Sequence, residues 1–481
     1  MYFMRKLIVF TIAAGVAAFV LASCSSKRKS DASLQPHDST HTSVKHPEWS
    51  RNAVIYEVNL RQYSDSGNLA GFEKELPRLK ELGVDILWFM PVHPISEKGR
   101  KGELGSYYAV RDYKAFNPEF GTLDQFKALV KKIHGMGMKV ILDWVPNHTG
   151  QDNVWVERHP DWYVRDSTGG FVSPYDWTDV YKLDYGKPEM RASMVDAFKF
   201  WLEDVGVDGF RCDVAGEVPT DFWAETRPQL QAVKPELFML AEASKPELQV
   251  DGFDMGYNWP LKDLFNAIAA TSGQNRYNKA DGTVVDYPVK HAIDIDTLIA
   301  LQSIQYPKDT YMMNMVTNHD LNSWEGTEFD RYGNLTDAMA VLSYTLPGMP
   351  LIYTGQETGL KRALEFFKKD TPPAWSPRNS YFEFYQKLNH LKHTQPALQA
   401  GIDGGEMVRY PTESDDVYVF SRTVDNATVY VFVNLGSEEL PVKYTAASPE
   451  SNHTTIDFFD PSKFDFPTTL KPGEYRVFVN R

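Results

Sequence analysis

The sequence predicts an α/β protein built on a (β/α)8 barrel, with a small insertion after the third strand and an antiparallel β-sandwich at the C-terminus. Three observations carry this reading. Between about 53 and 355, short apolar runs alternate with stretches of helical period. These runs are continuously apolar, the mark of strands buried on both faces, as in a parallel sheet covered by helices. From about 400 the pattern changes to "DDVYVFSRTV", "ATVYVFVNL", "TTIDFF" and "EYRVFVN", short alternating strands with turns between them.

Taken in order, the chain opens with "MYFMRKLIVFTIAAGVAAFVLASC". A basic start, an apolar run too short to span a bilayer and small residues before Cys24 read as a signal peptide over 1–23. Leu21-Ala22-Ser23-Cys24 resembles a bacterial lipobox, which makes Cys24 the expected lipidated residue and a membrane the expected partner. Ser25, by analogy with sorting rules in some bacteria, points to the outer membrane of the cell envelope. Residues 24–48 are polar and aperiodic, a flexible tether.

The barrel is expected at 49–147 and 191–399. Its strands are "AVIYEV" (53–58), "VDILWFMPV" (84–92), "KVILDWV" (139–145), "VDGFRCDVA" (207–215), "LFMLAEA" (237–243), a segment near "GFDMGYNW" (252–259), "MMNMVTN" (312–318) and "MPLIYTG" (349–355). About eight strands separated by helices favour a closed barrel over an open sheet. Residues 148–190, rich in Trp, Tyr, Asp and Gly, form the insertion, and 400–481 the sandwich. A formal charge of −14, with no basic patch beyond the N-terminus, excludes nucleic acid as a partner. Besides Cys24 there is one further cysteine, Cys212, so a lipidated chain has no internal disulfide.

Four acids sit at or just past strand ends: Asp143, Asp213, Glu242 and Asp320. In a barrel the C-terminal strand ends converge on the active site. Any one of these acids could simply cap the next helix; four together, with Arg211, His148 and His319, point to chemistry. Paired carboxylates without a Cys/His cluster suit a glycosidic bond, which needs an acid for the leaving oxygen and a carboxylate across the sugar. Arg211, two residues from Asp213 on the same strand face, is expected to hold Asp213 ionised and lower its pKa. Cys212, between them, faces the other way as a packed thiol.

"DWVPNH" (143–148), "GFRCD" (209–213), "AE" with its strand (238–242) and "NHD" (318–320) follow one another in the order seen in the α-amylase family, glycoside hydrolase family 13, and the chain resembles that family. "GMPLIYTGQE" (348–357) resembles its last strand segment, with Gln356 where the family often has Asp. "DVAGEV" (213–218) resembles the second motif of neopullulanases and cyclomaltodextrinases. The resemblance implies a retaining α-glucan hydrolase acting on α-1,4 bonds of starch or maltodextrin. It implies Asp213 as nucleophile, Glu242 as general acid and base, and Asp320 as the carboxylate that favours the distorted sugar. Arg211, His148 and His319 would position that sugar, Tyr108 in "SYYAVRDY" would stack on it, and Asp143 would order the site from behind. The carboxyls of Asp213 and Glu242 would then lie roughly 5–5.5 Å apart.

Two other functions compete with hydrolysis. A transglycosidase shares the chemistry up to the glycosyl-enzyme and differs in the acceptor. A non-catalytic glucan-binding lipoprotein would have lost at least one of the three acids, and all three are present. No cofactor is expected. In calcium-dependent relatives the residue matching Asn147 ligates the ion together with an aspartate; the best match for that aspartate falls on Lys182 in "VYKLD" (180–184). A lysine there removes an anionic ligand and adds a positive charge. Its ammonium is expected to occupy the ion's place and bond to Asn147.

Overall fold

The computed structural model describes residues 44–275, 285–450 and 455–480. Strands β1 (Ile55–Val58), β2 (Ile86–Phe89) and β3 (Lys139–Trp144) precede a hairpin of β4 (His148–Gly150) and β5 (Val180–Lys182). They are followed by β6 (Gly209–Cys212), β7 (Phe238–Ala241), β8 (Met255–Tyr257), β9 (Tyr311–Asn314) and β10 (Met349–Tyr353). All but the hairpin close into one parallel barrel in the order β1-β10-β9-β8-β7-β6-β3-β2. The expected fold class is therefore the observed one. The strand expected near 252–259 is β8.

The helices pack outside for reasons visible in the chain. Thr122 and Gln125 form a reciprocal capping box that starts the helix Leu123–Gly135. Its Phe126, Leu129, Val130 and Ile133 recur at helical spacing and are buried. The barrel strands present uniformly buried residues to both sides, as continuous apolar runs require.

Register decides what meets at the barrel mouth. Asp143 of β3 lies opposite Arg211 of β6, and Cys212 of β6 opposite Ala241 of β7. Asp213 and Glu242 are the next residues along, so they leave neighbouring strand ends side by side. In the insertion, β4 pairs with β5 antiparallel, His148 facing Lys182.

The C-terminal unit consists of β11 (Glu406–Arg409), β12 (Val417–Val424), β13 (Ala427–Asn434), β14 (Leu440–Pro441), β15 (Thr455–Asp457), β16 (Thr469–Leu470) and β17 (Tyr475–Asn480). A five-stranded antiparallel sheet runs β11-β12-β13-β17-β15, and β14-β16 form a small ribbon. One face of the large sheet buries Val417, Val419, Phe432 and Phe478 with Leu470 of the ribbon. The other face, with Tyr418, Phe420, Val431 and Val477, joins the core of the barrel. The second layer of the expected sandwich is thus two short strands.

The expected tether ends earlier than residue 48. His46 is buried, with Nδ1 2.9 Å from Asp254 Oδ1 and Nε2 2.6 Å from the Asp309 carbonyl. Its ring stacks on Tyr311 at 4.1 Å, and Arg227 grips the same Asp254. A polar, aperiodic stretch is still held where a buried carboxylate needs a partner, and periodicity carries no sign of that. The expected signal peptide, Cys24 and most of the expected tether lie outside the described residues. No helix among the described residues is long and apolar enough to cross a membrane.

Candidate active site

Tyr108, His148, Asp213, Glu242, His319 and Asp320 line one cavity of about 560 Å³ at the C-terminal mouth of the barrel. Arg211 lies beneath it, fully buried. Its Nη1 is 2.9 Å from Asp143 Oδ1 and 3.1 Å from Asp213 Oδ1. Its Nη2 is 2.8 Å from Glu242 Oε2, an ion-pair contact that lacks the alignment of a hydrogen bond. Its Nε donates to Tyr257 Oη at 3.1 Å. One cation thus orders three carboxylates.

That imbalance sets the electrostatics. Burial raises the Asp143 pKa to about 6, against the pull of Arg211 and His319. Burial, and then the charge of Glu242, push Asp213 well above the ordinary carboxylate range, again against Arg211. This corrects the expectation that Arg211 lowers Asp213: the pull exists, but desolvation and a second carboxylate outweigh it. A single guanidinium shared among three carboxylates offsets the burial of Asp143 and Asp213 only in part.

His319 carries the second positive charge. Burial opposes that charge, but Asp320 and Glu57 overcome it and raise the His319 pKa to about 9. Its Nδ1 is 2.5 Å from Glu57 Oε1 and its Nε2 is 3.3 Å from Asp320 Oδ2. Tyr108 Oη lies 2.7 Å from the same Nε2 and donates to Asp143 Oδ2 at 3.0 Å. His148 differs: burial holds its pKa near about 3, so it is neutral, with Nε2 4.0 Å from Asp213 Oδ2.

Glu242 is fixed from a second side. The Val214 N–H donates to its Oε2 at 2.8 Å. Val214 achieves this in the left-handed region, φ 45 and ψ 38. A β-branched residue there is strained by about 1–3 kcal/mol, the kind of local strain found at functional sites.

Sequence reasoning missed several residues of the site. Glu57, Trp88 and Tyr257 build its floor, and Trp88 Nε1 donates to Asp143 Oδ2 at 3.2 Å. Trp177 and Phe366 line the cavity walls. Glu57 had a signal, as the one charged residue in the apolar run "AVIYEV". The others are apolar or aromatic residues among many, with nothing to separate them from core.

Lys182 does not reach Asn147. The β4–β5 register sets it across from His148, and among the described residues its ammonium makes no hydrogen bond or ion pair. Its charge instead helps keep His148 neutral. The Asn147 carbonyl accepts from the Leu183 N–H at 3.1 Å, and its amide nitrogen lies 3.3 Å from His148 Nδ1. Among the described residues no group of three or more His, Cys, Asp or Glu could hold a metal ion. With its carbonyl and amide engaged in this way and no such acidic group among the described residues, Asn147 lacks the several carboxylates that calcium usually takes.

Residues 37–181 and 156–373 match the family model described as alpha amylase, catalytic domain. Alpha-amylase MalA of Haloarcula japonica is 26% identical over 437 residues, covering 87% of this chain and 59% of its own length. The chain thus spans about three fifths of that relative. Neopullulanase 2 of Thermoactinomyces vulgaris is 28% identical over 467 residues, covering 85% of this chain and 73% of its own. Among solved structures, an alpha-amylase from Lactobacillus plantarum superposes with a TM-score of 0.75 at 29% identity, covering 90% of this chain and 100% of that one. The noncanonic maltogenic alpha-amylase AmyB from Thermotoga neapolitana gives 0.74 at 29% identity, covering 89% and 96%.

Proposed function

This chain belongs to the alpha-amylase family, and from that premise we propose that it hydrolyses α-1,4-glucosidic bonds of starch or maltodextrins with retention, through a covalent glycosyl-enzyme. It is a glycoside hydrolase of alpha-amylase type; the bond, the stereochemistry and the residue roles are the proposal. The observation that carries it is the sharing of Arg211 by Asp213 and Glu242, at 3.1 and 2.8 Å. One guanidinium reaches both carboxyls only when they are neighbours. That sets the two carboxyls side by side, as a nucleophile and an acid acting on one bond require.

In this reading the Asp213 carboxylate attacks the anomeric carbon while Glu242 gives its proton to the departing oxygen. A water, deprotonated by Glu242, then releases the sugar from Asp213 and restores both groups. Asp320 and the shared carboxylates favour the positive charge that develops on the sugar ring. Neutral His148 and cationic His319 offer hydrogen bonds to its hydroxyls, and Tyr108 a ring face. The names of the neopullulanase and maltogenic alpha-amylase relatives support an α-glucan as substrate. Export and lipid attachment at Cys24 complete the proposal and place the enzyme on a bacterial envelope membrane.

Proton NMR of maltotetraose digestion tests it. The α-anomer should appear first and mutarotate later. Early β-anomer, or no cleavage of linear α-1,4 substrates, overturns the reading. Products longer than the substrate would replace water by sugar as the main acceptor.

A further inference from the structure

One end of the cleft is walled by contacts that run unbroken from the insertion to the loop after β10. The wall begins at Lys101, whose ammonium lies 3.5 Å from Asp179 Oδ1 and 3.4 Å from the Asp176 carbonyl. It continues at Gly102, packed so closely on Phe367 that a Cβ there would sit 2.4 Å from the Phe367 Cβ. The Leu104 N–H donates to the Phe367 carbonyl at 2.8 Å. Beneath, buried Arg61 donates to the carbonyls of Gly105, Phe366 and Leu104 at 3.1, 3.2 and 3.3 Å. Its neighbour Gln62 bonds the carbonyls of Glu365 and Lys368 at 2.5 and 2.7 Å and accepts from the Asp370 N–H at 2.8 Å. Arg61 of the helix Leu60–Tyr63 therefore ties two separate loops together, and Gln62 holds the second of them to that helix. Freeing either loop would leave a buried guanidinium or amide unpaired.

The wall faces the cavity. Lys101, Phe366 and Phe367 line the same cavity as Tyr108, and Phe366 stacks parallel to Tyr108 with centroids 6.4 Å apart. We infer that this wall closes the glycone side of the cleft, so that the enzyme takes short maltooligosaccharides and the non-reducing ends of chains rather than chain interiors. The inference rests on the proposed roles above. Glu242 protonates the departing oxygen, so the leaving portion lies on its side; Tyr108, the ring proposed to stack on the reacting sugar, packs on Phe366 of the wall, and in that placement the sugars bound beyond Tyr108 lead to the non-reducing end. A cavity of about 560 Å³ falls in the range that encloses a small ligand, on the order of two or three hexose rings.

Maltoheptaose labelled at its reducing end, with its non-reducing end either free or capped by a 4,6-O-benzylidene group, tests this. The free substrate should first yield labelled fragments one to three glucose units shorter, and the capped one should react at least tenfold more slowly. Lys101→Ser and Phe367→Ala should each narrow that ratio and produce more internal cuts. Equal wild-type rates on capped and free substrate overturn the wall while leaving the hydrolase reading intact. A wild-type ratio unchanged in both variants overturns its assignment to Lys101 and Phe367. No cleavage of either substrate overturns the hydrolase reading and the inference with it.

Discussion

His319 and Glu57 come from opposite ends of the barrel sequence, yet the imidazole Nδ1 lies 2.5 Å from the Glu57 carboxylate, and both side chains are buried. The pair, with Asp320, raises the His319 pKa from 6.5 to about 9. A group held at a raised value stabilises the folded state fully below the unfolded pKa and loses that contribution as pH rises to the folded one. Stability should therefore decline between pH 6.5 and about 9, by roughly 3 kcal/mol at most from this group. Glu57→Gln should lower stability at pH 6.5 and flatten the decline, as followed by urea unfolding across the range. Parallel pH curves for wild type and variant would show that the pair does not govern His319.

Asp213→Asn keeps the shape of the side chain and removes the proposed nucleophile. Turnover should fall by several orders of magnitude with the circular dichroism spectrum unchanged. Retention of more than about a hundredth of the wild-type rate would remove Asp213 from that role.

Glu242→Gln should separate two substrate types. Natural oligosaccharides need a proton on the leaving oxygen and should be almost inert. Fluoride or nitrophenyl glycosides need none and should still release their leaving group, at rates at least tenfold closer to wild type. Equal losses on both would count against Glu242 as the acid.

Exhaustive chelation should leave activity and Tm unchanged, because Asn147 is engaged by His148 and the Leu183 N–H and no acidic cluster able to hold a metal lies among the described residues. Since the Lys182 ammonium has no hydrogen-bond partner among the described residues, Lys182→Ala should shift Tm little, within about 0.5 kcal/mol of wild-type stability. Loss of activity on chelation, recovered with calcium, would disprove the assignment.

Cys24→Ala should move the protein from the membrane fraction to the soluble fraction with kcat unchanged. Continued sedimentation with membranes would instead identify the apolar N-terminal segment as a retained anchor.

The alternation of apolar runs with helical stretches was enough to identify the barrel, because a strand buried on both faces needs an unbroken apolar run. The strand-end acids were legible for the same reason: Asp143, Asp213 and Glu242 are charges where burial otherwise rules, and a closed barrel brings such ends to one mouth. The tertiary structure alone decided how those charges balance. Whether Arg211 lowers Asp213 depends on how many carboxylates share the guanidinium and how much water is left, and neither is written in the local sequence. Glu57 and His319 lie 262 positions apart, and their pairing follows only once β1 and the loop after β9 meet. His46 binding Asp254, Lys182 facing His148 rather than Asn147, and Arg61 joining two loops are of the same kind. Each depends on through-space distance between segments that only closure of the barrel brings together.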